Sequence, residues 1–175
     1  SMASPREPLL SAAFLELCMF NFAASAAVFA LLPVAPYRIQ HLGGPTAAAG
    51  LFLGSLTFAS ALSAPFTGAL GDRLGQGKVL AVAAAAIAAL FAVYAFVSVW
   101  PLFVALAFAQ GIFWSALLTS SGAYAVRLIP ESRRGEGFAV HGMATILAIS
   151  LAPSFGFVLF NFGWRWLTGT LALVN

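Results

Sequence analysis

Gly68-Ala69-Leu70-Gly71-Asp72-Arg73-Leu74-Gly75-Gln76-Gly77-Lys78 decides how the rest of the chain is read. It sets glycine and charge between two apolar runs, each long enough to cross a bilayer. A tight, charged, glycine-hinged turn between two spans is a costly local feature, so it points to a specific task rather than to simple connection. Outward from it the composition is that of a protein in lipid. Hydrophobic residues make up 62% and charged residues 7%, with a mean hydropathy of +0.98. Soluble domains carry about 45–50% apolar and about 25% charged residues, so that class is excluded.

The eight basic and five acidic residues, net +3, fall almost entirely in the gaps between apolar runs, where water and anionic headgroups solvate them. A nucleic-acid partner is therefore not expected, despite a pI near 9.6. Cys18 is the only cysteine and cannot form an intramolecular disulfide.

Crossing hydrocarbon takes about 20 apolar residues at 1.5 Å each. This criterion places spans near Leu9 to Leu32, Thr46 to Leu70, Val79 to Val99, Leu102 to Val126 and Phe138 to Phe160, with a sixth opening near Trp164. The fold expected is an all-α membrane protein of five complete transmembrane helices plus the start of a sixth, which is cut short. Ser1-Met2 reads as a tag scar, so residues 1–8 form that scar and a cytoplasmic N-terminus, and residues 9–175 form the bundle. If the spans alternate, Arg6, Arg73, Lys78, Arg127, Arg133 and Arg134 share one side against Arg38 and Arg165 on the other. The basic-rich side is the cytoplasmic one, which puts the N-terminus inside, in a bacterial inner membrane.

The pattern of Gly68, Asp72, Arg73, Gly75 and Lys78 resembles the loop between the second and third helices of major facilitator superfamily transporters. Leu32-Pro33-Val34-Ala35-Pro36 is similar to the Pro-Val-x-Pro signature of the twelve-span drug:proton antiporters in that superfamily. Pro130-Glu131-Ser132-Arg133-Arg134-Gly135 resembles the family's second cytoplasmic loop, and Gly163-Trp164-Arg165-Trp166 its Gly-Trp-Arg turn opening the sixth helix. The resemblance spans nearly the whole chain. It implies the N-terminal half of a transporter with two three-helix inverted repeats, moving a small organic solute by alternating access, with efflux as the expected direction. It also implies that Asp72 and Arg73 latch the two halves, with Arg127 as the partner of Asp72.

Candidate site residues follow from burial and from helical spacing. Glu16 lies eight residues after Pro8, roughly 12 Å along a helix, and a carboxyl at hydrocarbon depth is a proton-coupling candidate. His141, with Thr145 one turn later on the same face, is the other. Asn21 and Ser25 share a face of the first span, and Gln110, Trp114 and Ser121 share one of the fourth, so these are candidates for a substrate wall. Glu16 stands about 140° around the helix from Asn21 and cannot point squarely into the same cavity. Pro153 and Gly156 read as a hinge or as a packing seam in the fifth span.

No metal cluster, nucleophile–base pair or phosphate loop is legible, so neither an enzyme nor a cofactor is expected. Alternating access needs a rocking partner, so a second half, in a missing C-terminal segment or another chain, is expected beside the substrate and the bilayer. Two alternatives stand: a sugar or amphiphile carrier of the same superfamily, and a scaffold or assembly protein that transports nothing.

Overall fold

In the computed structural model the chain is described from residue 8 to residue 175; Ser1-Met2, expected to be a tag scar, and Arg6 lie outside the described residues. Ser11 starts the first helix, α1 (Ala12–Leu31), by accepting the Phe14 backbone N–H on its hydroxyl at 3.2 Å. Pro33 and Pro36 interrupt the first span without ending it. The helix stops at Leu31, turns, and resumes as α2 (Ala35–His41), where Pro36 occupies the first turn and forfeits no hydrogen bond. The remaining helices are α3 (Thr46–Leu74), α4 (Gln76–Tyr94), α5 (Trp100–Leu128), α6 (Arg134–Phe162) and α7 (Trp164–Val174), with a 3-10 turn at Glu131–Arg133 before α6. No strand occurs among the described residues. Five helical segments are long and apolar enough to cross a membrane.

The segment Gly68 to Lys78 is far more helical than the loop the sequence implies. Gly68 to Leu74 continue α3 and Gln76 to Lys78 already belong to α4, so the connection is the single residue Gly75. Its φ of +95° is the left-handed region that other residues adopt at a cost. Gly163, at φ +124°, makes the same one-residue joint between α6 and α7.

The two joints belong to an internal repeat of 88 residues. Ala12 and Trp100, Thr46 and Arg134, and Gln76 and Trp164 open corresponding helices at that spacing. Gly75 and Gly163 keep it, as do the two prolines inside helices, Pro65 and Pro153. An odd number of crossings separates the copies, so the second enters from the opposite end: the fold is an all-α bundle of inverted three-helix repeats, the arrangement the resemblance implies.

The packing obeys the same operation. The most extensive interface joins α3 to α5 and the next joins α1 to α6, and the repeat turns one into the other. Each draws its helices together at a glycine. A Cβ on Gly111 would run into the Leu56 carbonyl of α3, and one on Gly156 into the Ala30 carbonyl of α1. Large apolar side chains such as Met19, Phe58, Phe66 and Phe162 remain exposed, a surface suited to lipid.

Candidate functional site

At the junction, Asp72 and Arg73 occupy the last turn of α3. Gln76 donates from Nε2 to the Asp72 carboxylate at 3.0 Å, and its buried side chain lies against Gly71, where a Cβ would collide with it. The carboxylate is thereby held near the N-terminus of α4, whose dipole favours an anion and offsets its position at the C-terminus of α3. This corrects the expected pairing. Asp72 is tied to Gln76, not to Arg127, and the ion pairs found among the described residues are Arg133 with Glu136 and Arg134 with Glu131. Gly68 faces open space, so close approach in this loop falls to Gly71 instead. Lys78 is exposed and lines a cavity of about 360 Å³ between α3, α4 and α5.

Four other candidates, far apart in sequence, converge in one polar seam. Asn21 on α1 donates from Nδ2 to the Thr145 hydroxyl of α6 at 2.8 Å and also reaches the His141 carbonyl at 3.5 Å. Ser121 on α5 meets the His141 ring at Nε2, 3.1 Å away. Asn21 and Ser121 are buried, whereas His141 and Thr145 are half-buried. The seam therefore joins three spanning helices: the half-buried His141 ring meets α5 at Ser121, while the His141 backbone carbonyl and the Thr145 hydroxyl meet α1 at Asn21. Ser25, one turn beyond Asn21, is fully buried with an unpartnered hydroxyl. A cavity of about 410 Å³ runs along the same two helices, lined by Cys18, Met19, Phe22, Ala23, Ala144 and Leu147.

A sequence model of the Major Facilitator Superfamily matches residues 17–175. The chain belongs to that superfamily. It is therefore a multi-pass membrane protein of a transporter family. No curated protein matches it in sequence.

For a superfamily half-bundle, the remaining candidates divide by location. Gln110 does not share a wall with Ser121. Its Oε1 accepts the Tyr94 hydroxyl at 2.8 Å, so it belongs to a buried aromatic cluster in which Tyr94 lies 5.0 Å from Phe103, and Phe103 lies 5.4 Å from Trp164. The Trp164 indole closes that cluster by donating to the Tyr94 carbonyl at 2.7 Å. Trp114 stands edge-on to Phe29, 6.3 Å between centroids.

Pro153 is inside α6, and Ala148, Ala152 and Gly156 form a buried row there, with Gly156 against α1. Glu16 is shallower than the sequence implied. With α1 capped at Ser11 it is the fifth helical residue, roughly 6 Å from the helix start, and it is exposed. The later helix start shortens the distance from the roughly 12 Å expected from Pro8.

Sequence reasoning missed Gln76 and Tyr94. Gln76 is uncharged and lies outside the pattern that carries the resemblance, and Tyr94 falls inside the expected span Val79 to Val99, whereas α4 ends at it. The detectable signal for the repeat was present: Ala64-Pro65-Phe66-Thr67-Gly68 recurs as Ala152-Pro153-Ser154-Phe155-Gly156.

Proposed function

We propose that this chain is the N-terminal half of a secondary active transporter that exports a small organic solute by alternating access, completed by a second half. The observation that carries this reading is the Asn21–Thr145 and Ser121–His141 seam. Polar side chains inside apolar spans are unfavourable in lipid and are retained where they bind or relay. Here they include the one histidine inside the spans away from the α2 end, and imidazole gains or loses a proton between about pH 5 and 8. His141 is then the proton-coupling group, with Ser121 orienting its ring and Asn21 and Thr145 beside it offering hydrogen bonds to substrate.

Asp72, fixed by Gln76 and flanked by Arg73, forms the latch against the second half at the end of the bundle placed in the cytoplasm of a bacterial cell. The breadth of exposed apolar surface on α3 and α6 supports a second half packing there as well as lipid.

The test is flux in proteoliposomes containing the complete gene product, scanned over organic cations, neutral amphiphiles and sugars with and without a pH gradient. Gradient-driven movement of one class is the expected result, and it separates an exporter from a sugar carrier. Absence of movement for every class favours the scaffold.

A further inference from the structure

The end of the bundle opposite Asp72 holds two arginines and no acid among the described residues. Arg38 on α2 lies over the Trp164 ring at 5.4 Å, and Arg165 in the first turn of α7 lies over the Phe96 ring at 5.3 Å. Both line one cavity of about 510 Å³, with Ser98 of the α4–α5 connection and Gly163. The described acids, Glu16, Asp72, Glu131 and Glu136, sit at the start of α1, the end of α3 and around the start of α6, all at the far end.

Ring stacking holds a guanidinium in place while leaving its N–H edge free to meet an acceptor. Arg38 Nε is shut away from solvent with no hydrogen-bond partner. Gly163 caps α7 with no side chain, so the orphan N–H groups of that helix start also open toward this end. Two like charges around one recess, with no counter-ion among the described residues, create a positive potential that an added anion neutralises. Phe96 and Trp166 flank the recess with 74% and 69% of their surface exposed, as aromatic residues do at a membrane interface.

We infer that this cavity is a binding site for a phosphate-type oxyanion, and its position beside exposed aromatics points to the headgroup of an anionic lipid as the source. Occupied, it would tie α2, the α4–α5 connection and α7 together. It stands apart from the seam and does not depend on the transport reading.

The experiment is thermal unfolding of the protein in phosphatidylcholine nanodiscs, titrated with phosphatidylglycerol in the disc or with soluble glycerol phosphate. A saturable rise in Tm with phosphatidylglycerol is expected. Each of Arg38→Gln and Arg165→Gln should weaken the apparent affinity about tenfold, the loss of one charge-assisted contact. Arg73→Gln, at the other end, should leave it unchanged.

Ser98→Glu places a carboxylate at the cavity without disturbing either stacked arginine, and should abolish the response while keeping the Tm in phosphatidylcholine alone. It decides the matter if the glutamine variants fail to fold. An equal rise in Ser98→Glu and wild type, or an equal loss in Arg73→Gln, overturns the site. A response to soluble glycerol phosphate as large as that to the lipid keeps the oxyanion site and overturns the lipid source.

Discussion

The interfaces of α3 with α5 and of α1 with α6 are copies under the 88-residue repeat, yet their chemistry has diverged. Asn21, His141 and Thr145 in the second correspond to Ala109, Leu53 and Thr57 in the first. Thr57 turns its hydroxyl back to its own helix at Leu53 O, 2.8 Å away, while Thr145 receives a side chain from another helix. The α3–α5 copy has one interhelical polar contact of its own, Thr67 with Ser115 at 3.2 Å, and neither group titrates in the physiological range. Packing alone therefore accounts for one copy. The other contains a titratable ring with a half-open side, a feature that tight packing does not need.

This contrast can be broken at several points, starting with the close glycine contact that each copy makes at a position of its own. Gly111→Leu and Gly156→Leu each push a side chain into a neighbouring carbonyl, and each should destabilise the bundle by about 3 kcal/mol, at the upper end of overpacking penalties. Thermal unfolding in detergent measures both; no loss at either glycine would show that the close approach there does not hold that interface together.

Asn21→Ala and Thr145→Ala test the seam alone. A double-mutant cycle should give a coupling of about 0.6–1.7 kcal/mol, the range for interhelical hydrogen bonds in membranes. A coupling of zero would mean that the observed contact contributes nothing to stability. Smallest of all, Thr57→Val should change stability by less than about 0.5 kcal/mol, because its exposed hydroxyl bonds only its own helix. A loss as large as at Thr145 would erase the contrast.

At the junction, Asp72→Asn should reduce flux while leaving unfolding unchanged, since the Gln76 amide can still donate to the Asn side-chain carbonyl. Unchanged flux would remove the latch.

Much of the bundle was legible before any coordinates. Span number rests on the length of apolar runs, and Thr46 and Trp164 as helix starts came directly from them. Local chemistry shifted the other ends. The Ser11 cap moved the first helix start inward and with it Glu16, and α3 runs on through Asp72 because nothing in Gly68–Leu74 breaks a helix until Gly75 demands a positive φ.

The candidate site was legible only as separate stripes. Asn21 and Thr145 are 124 positions apart, and helical spacing places a residue on a face without saying which helix that face meets. Gln110 shows the limit: it shares a face with Trp114 by spacing, but Tyr94 takes its carbonyl and draws it into the aromatic end. Gln76 stayed hidden because its neighbour in space, Gly71, shows its tight fit only in three dimensions.

The most direct measurement is the pH profile of solute flux in proteoliposomes for the complete gene product and its His141→Gln form, at matched protein folding. The account predicts that wild-type flux varies across about pH 5 to 8, the histidine range, and that His141→Gln makes the profile flat at a reduced rate. A His141→Gln protein that keeps the wild-type profile and rate would contradict it.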